Sequence, residues 1–294
     1  MSKFSKAVLP LLLVFTAACG TDLQRARAQD LGEALRAPAP AVREGTGVSD
    51  ETAAKAETTF VRGGVLPQRV TRAVSPADPL RLMVIGDSLA DGFGMFLKSR
   101  VAERGLPVTV LNRGRTSTGL ARADFYDWPG QFVGMAAADR PDIVVANFGA
   151  NDNQPIRLAS GKSVPYDTPE WDAAYSAQMR HILDTAAGAG AVFYLLGPAP
   201  DADSHRNALL SKANGLFRDL ARQTGAHFLS LPAITGGPNG EWVQSAGGTT
   251  IRSGDGSHFT GAGYTLVVNE ILAAIGRDNP GLFSPSSVEI ASLQ

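Results

Sequence analysis

The sequence predicts an α/β domain in which a parallel sheet carries helices on both faces. From Leu80 onward, short apolar runs alternate with longer segments of helical period, the pattern of successive strand-helix units. The runs themselves, such as Leu82 to Ile85, lack the polar-apolar alternation of a strand with one wet face, so they are expected to be buried on both sides. Five such units follow one another. The expected strands are Leu82 to Ile85, Val108 to Leu111, Ile143 to Phe148, Val192 to Leu196 and His227 to Leu231. The expected helices are Leu89 to Arg104, Gly130 to Ala138, Glu170 to Ala187, Ser204 to Thr224 and Gly261 to Ile275. In the first helix Leu89, Phe93, Phe96, Leu97 and Val101 form a stripe that packs back onto the sheet.

The remaining residues frame this domain. Lys3 and Lys6 precede an apolar run from Ala7 to Ala18, too short for a span of about 20 residues but suited to a secretory signal. Cys19 is the only cysteine, which excludes an internal disulfide. Its place after Phe15-Thr16-Ala17-Ala18 resembles the lipobox of bacterial lipoproteins, with Thr16 where Leu or Val is commoner; the alternative is cleavage after Ala18 without lipidation. Residues 1–19 are thus read as the signal, and the protein as exported to the periplasm, touching a membrane only through a lipid at Cys19. Residues 20–79 have Phe60 as their only aromatic residue and too little apolar content for a core, so they are expected to be linker, with a reach of roughly 40 Å if flexible. The domain is placed at 80–276 and a loosely held tail at 277–294. A net charge of -1 speaks against a nucleic-acid partner.

Chemistry is expected at the carboxyl ends of the strands, where open α/β sheets bind ligands. After the first strand comes Gly86-Asp87-Ser88, at the joint with a helix. Ser88 with Asp91 three residues on fits a helix cap; a serine on a tight strand-to-helix turn equally fits a nucleophile beside helix N–H groups that favour negative charge. This stretch alone does not choose. After the second strand comes Asn112-Arg113-Gly114, after the third Gly149-Ala150-Asn151-Asp152, and before the last helix Asp255-Gly256-Ser257-His258. Together they supply what acyl transfer needs. His258 can take a proton from Ser88, and Asp255 on the same turn can fix the imidazole tautomer. The N–H groups of Ser88 and Gly114 and the Asn151 amide can form an oxyanion hole.

These four blocks resemble those of the SGNH, or GDSL, hydrolase superfamily, over about Arg81 to Ile275. The match runs through Gly86-Asp87-Ser88-Leu89, Gly114, Gly149-Ala150-Asn151-Asp152 and Asp255-Gly256-Ser257-His258. The resemblance implies a flavodoxin-like, three-layer α/β/α fold with a five-stranded parallel sheet in the order 2-1-3-4-5. It also implies Ser88, Asp255 and His258 as triad, and Gly114 and Asn151 as oxyanion donors.

The expected activity is a serine esterase that removes short acyl groups, such as acetyl, from a cell-envelope glycan or a small ester. An O-acyltransferase would use the same triad, and an idle glycan-binding module is the alternative from another class. Trp128 and Trp242 follow strand ends and are candidates for stacking on a sugar. Arg113 and Arg252, with Arg115, are candidates for an anionic group, with loop salt bridges as the competing role. Two long insertions, Asp152 to Pro169 and Thr235 to Gly254, are expected to select substrate. No metal or cofactor is expected: His181, His205 and His227 lack ligand spacing, and Asp201, Asp203 and His205 read as a helix start.

Overall fold

The computed structural model describes residues 65–158 and 161–283. The expected signal, Cys19 and the linker up to residue 64 lie outside the described residues, as does the tail from 284.

From Leu80 onward the described residues build three layers. The sheet is formed by β1 (Leu80–Gly86), β2 (Val108–Asn112), β3 (Ile143–Asn147), β6 (Val192–Gly197) and β7 (His227–Ser230). All four neighbouring pairs are parallel and the order is β2-β1-β3-β6-β7, so these five, counted along the chain, lie 2-1-3-4-5. The side-chain period of two then divides each strand between two cores. Leu82 and Val84 face a layer made by α1 (Ser88–Glu103) and α6 (Gly261–Asp278). Met83 and Ile85 face the opposite layer, made by α2 (Trp128–Asp139), α3 (Pro169–Gly188) and α4 (Ser204–Thr224). Both cores are sealed: Phe93, Leu97, Val267 and Ile271 on one side and Phe132, Tyr175, Met179 and Phe217 on the other are fully buried. Each such side chain contributes about 1.5–3 kcal/mol through burial.

The small elements divide the two insertions. The first contains a hairpin, β4 (Ile156–Arg157) with β5 (Ser163–Val164), that places Ile156 and Val164 in the core and so anchors this insertion to the domain. The second follows α5 (Leu231–Thr235) and carries the exposed hairpin β8 (Ser245–Ala246) with β9 (Thr249–Thr250).

Both edges of the domain extend beyond the expected limits. Residues 65–79, assigned to the linker by composition, lie along the domain. Leu66 is 2% exposed in the second core and its N–H donates to Thr224 O, Val70 N–H donates to Asn279 Oδ1, and Arg72 makes a two-point bond to Asp142 at 2.6 and 2.7 Å. At the other end α6 continues to Asp278, and Leu282 and Phe283 pack against the first core where a loose tail was expected.

Candidate active site

The chain runs from β1 to β2 on one side and to β3 on the other, so the strand order reverses between β1 and β3. A crevice forms at such a switch point, outside the carboxyl ends of the strands. Gly86 ends β1 there with φ +131°, and a Cβ on it would stand 1.8 Å from Asn147 O of β3, so only glycine fits. The chain then enters α1 through a single residue, Asp87. Asp87, not Ser88, is the N-cap: its carboxylate accepts the Leu89 N–H at 2.9 Å. Ser88 is the first helical residue, where an N–H has no intrahelical acceptor. Its hydroxyl is left free of capping and pairs instead with His258 Nε2 at 2.8 Å.

Asp87 is fully buried, and burial pushes its carboxyl up to about 7, with the nearby Asp152 carboxylate adding to the effect against the N–H groups of Leu89 and Ala150. Its second oxygen receives the Ala150 N–H at 3.3 Å, which ties the Ser88 turn to the loop of Asn151. Asp152, also buried and also raised by burial, accepts the Ala121 N–H and the Tyr175 hydroxyl. The two carboxylates thus fasten three loops under the crevice.

His258 comes from the turn before α6. Its Nδ1 pairs with Asp255 Oδ2 at 2.7 Å, completing an unbroken chain from Ser88 through His258 to Asp255. The other Asp255 oxygen accepts the Ser253 hydroxyl at 2.7 Å and the N–H groups of Ser257 and His258 at 2.9 Å each. Partial burial opposes ionisation, but these four donors outweigh it and hold the Asp255 carboxyl well below the usual carboxylate range. The side chains of His258 and Asp255 are 43% and 51% exposed, so water reaches this half of the site.

The three expected oxyanion donors differ in availability. The Ser88 N–H is free of any helical acceptor. Asn151 spends one amide N–H on Thr118 O at 2.9 Å and keeps a second. The Gly114 N–H is directed at Asn112 Oδ1 at 3.1 Å, so an oxyanion must compete for it. Glycine is required at 114 by close approach: a Cβ would stand 2.4 Å from Asp91 N.

Three of the four expected substrate contacts are corrected. Trp128 is fully buried, its ring edge-on to Phe148 and Tyr126 and its indole N–H on Thr118 Oγ1 at 2.9 Å; it supports the loop that holds Asn151. Arg113 is spent on Asp139 in a two-point salt bridge, because it projects from the sheet edge beside the end of α2. Arg252 is 1% exposed, lies over the Phe259 ring at 4.0 Å, and donates to Pro200 O and Ser257 O at 2.9 Å each; burial lowers its guanidinium to about 10. Trp242 is half-buried and donates to Gly256 O at 2.8 Å, within the turn that carries His258. Arg115 is exposed, with its guanidinium 4.6 Å from the Tyr126 ring centre. Among the described residues no group of His, Asp and Glu side chains is arranged to hold a metal ion. Asp203 caps α4, as a helix start requires.

The fold has solved counterparts. The solved structures most like this one include a GDSL-like lipase from Bacteroides thetaiotaomicron, 17% identical, with a TM-score of 0.51 over 67% of this chain and 88% of that one. They also include an alpha/beta hydrolase enzyme from the metagenome of Lake Arreo, Spain, 18% identical, with a TM-score of 0.51 over 70% of this chain and 97% of that one. At these identities what is shared is the fold, that of the GDSL or SGNH hydrolases. Residues 81–274 match the family model described as protein of unknown function (DUF459), and the chain belongs to that family. No curated protein matches the chain by sequence.

Proposed function

We propose that this protein is a serine esterase that releases short acyl groups, acetyl foremost, from an exported glycan or a related ester. The observation that carries the reading is the chain of bonds from Ser88 Oγ to His258 Nε2 and from His258 Nδ1 to Asp255. Ser88 Oγ attacks the acyl carbonyl while its proton passes to His258 Nε2, and Asp255 stabilises the imidazolium that forms. The Ser88 N–H and the Asn151 amide receive the oxyanion, joined by the Gly114 N–H when it leaves Asn112. The intermediate collapses, His258 returns the proton to the departing alcohol, and an acyl-serine remains. Water then adds to the acyl carbonyl, losing its proton to His258, and the carboxylic acid leaves as Ser88 regains its hydrogen.

Hydrolysis is preferred to transfer onto a second sugar because Asp255 and His258 stand open to water. The glycan rests on the export signal read in residues 1–19 and on Trp242 beside the His258 turn. The same reading makes Cys19 a lipid anchor, so Cys19→Ser should move the protein from the membrane to the soluble fraction. The test of the reaction is mass spectrometry of acetylated envelope glycans incubated with the protein, alone and with a free sugar acceptor. Loss of acetyl with release of acetate is expected; acetyl appearing on the acceptor would replace the esterase by the transferase.

A further inference from the structure

The turn that carries His258 is gripped by the loop after β6. Three consecutive residues of that loop each reach it. Arg252 bridges the carbonyls of Pro200 and Ser257, the Asp201 carboxylate accepts the Ser257 hydroxyl, and the Ala202 N–H donates to Gly256 O at 3.3 Å. Asp201 is the member with side-chain chemistry. It is 4% exposed, and a buried carboxylate is costly unless donors and charge surround it. Here the Asp203 N–H donates at 2.7 Å, and Arg206 Nε and Nη2 donate at 3.2 Å each. The helix cap belongs to Asp203, so Asp201 is not needed to start α4. Beyond its own loop and the first turn of that helix, it holds the side chain of the residue next to His258.

We propose that Asp201 is a positioning residue for acyl transfer, acting through Ser257 to keep His258 Nε2 on Ser88 Oγ. This rests on Ser88 and His258 being nucleophile and base. The imidazole is nearly half exposed, and its Nδ1 and backbone N–H both rest on Asp255 of the same turn, so its aim depends on how firmly that turn is held. A misplacement of about 1 Å in a reacting group costs on the order of 10²-fold in rate. Asp201 touches the base's turn, so its loss should appear in kcat and leave KM nearly alone.

The experiment compares wild type, Asp201→Ala, Asp201→Asn, Ser257→Ala and the Asp201→Ala/Ser257→Ala double variant on p-nitrophenyl acetate. Rates are taken per Ser88 that a fluorophosphonate can titrate, which removes any misfolded fraction. Asp201→Ala should lose about 10- to 100-fold in kcat with KM changed less than about threefold. Asp201→Asn keeps an acceptor for the Ser257 hydroxyl and should recover most of that loss. Ser257→Ala should lose at least about fivefold, and the double variant should be no worse than the poorer single one, because both remove the same contact. If Asp201→Ala does not fold, Ser257→Ala and Asp201→Asn carry the test. A kcat within twofold of wild type for Ser257→Ala, or a loss in Asp201→Ala that appears in KM, overturns the proposal while leaving the esterase intact. A wild-type protein that neither hydrolyses the ester nor takes the label overturns both.

Discussion

At Gly86 to Leu89 the backbone is wedged, whereas at Asp255 to His258 it is tethered. The first turn owes its shape to close approach: Gly86 abuts Asn147 O, and Asp87 is sealed beneath α1 with its oxygens on two N–H groups. In the second turn Asp255 and His258 are open to solvent, Gly256 alone is packed close, against the Ala202 side chain, and the shape rests chiefly on side-chain hydrogen bonds: Ser253, Arg252 and Trp242 donate to the turn and Asp201 accepts from it. A wedge fails by unfolding, because backbone must move; a tether fails by losing aim while the fold survives. Damage to the Ser88 turn should therefore register in stability, and damage to the His258 turn in turnover.

The largest expected effect is chemical and belongs to both turns. Ser88→Ala and His258→Ala should each lower kcat on p-nitrophenyl acetate by about 10⁴-fold or more, with thermal unfolding little changed. Next comes Gly86→Ala, which places a Cβ on backbone at a positive φ and should cost more than about 4 kcal/mol or prevent folding. Its counterpart in the second turn, Gly256, has φ +77° and a Cβ there would stand 2.6 Å from the Ala202 side chain and not on backbone, so Gly256→Ala should cost less, about 1–3 kcal/mol. Equal losses at the two glycines in denaturant titrations would erase the contrast. Asn151→Ala should follow: the proposed role of its amide, at the oxyanion and not in the ground state, requires a fall of about 10² to 10³ in kcat at nearly constant KM. A loss below about threefold would return Asn151 to a purely structural role.

The two turns also differ in their response to pH. The Asp87 carboxyl titrates near 7 in the folded protein and near 4 unfolded, so between those values the folded state holds the extra proton. Its contribution is complete below the unfolded value and is lost as pH rises toward 7 and beyond. Asp152 is raised as well and acts in the same sense. Asp255 has the opposite sign and matters only below about pH 4, where protonation costs stability. Denaturant titrations should show stability falling from pH 5 to pH 8 by a few kcal/mol, and Asp87→Asn should flatten that slope. A slope unchanged in Asp87→Asn would mean that the buried carboxyl is not its source. The smallest effect is expected at Arg113→Ala, which removes a half-exposed salt bridge to Asp139 at a cost below about 1 kcal/mol and with KM unaltered.

What the sequence disclosed, and what it hid, follows the same division between local and distant causes. The five strands were legible because Leu82 to Ile85 and its counterparts are apolar on both faces, a pattern that has no use on a surface. Ser88, Gly114, Asn151, Asp255 and His258 were legible as a set because each sits in a short block after a strand or before a helix, where chain direction brings them to one edge. Burial by distant residues was not legible. Trp128 follows a strand end like a rim residue, but its ring turns under the loop onto Phe148; Arg252 has the charge of a surface residue and is covered by two carbonyls and Phe259. Leu66 and Val70 are too sparse to signal a core, and only contact with α4 and α6 orders them. Asp201 looked like part of a helix start because the residue it holds, Ser257, lies 56 positions away.

That Ser88 is a nucleophile activated by His258 is tested most directly by covalent labelling. Wild-type protein, Ser88→Ala, His258→Ala and Asp255→Asn would be exposed to a fluorophosphonate probe, the labelled peptide identified by mass spectrometry, and the rate of labelling followed for each. The expected result is a single adduct on Ser88 in wild type, none in Ser88→Ala, and slowing by orders of magnitude in His258→Ala at an unchanged fold by circular dichroism. Labelling of Ser88 at the wild-type rate in His258→Ala, or an adduct that persists in Ser88→Ala, would contradict that role for the pair.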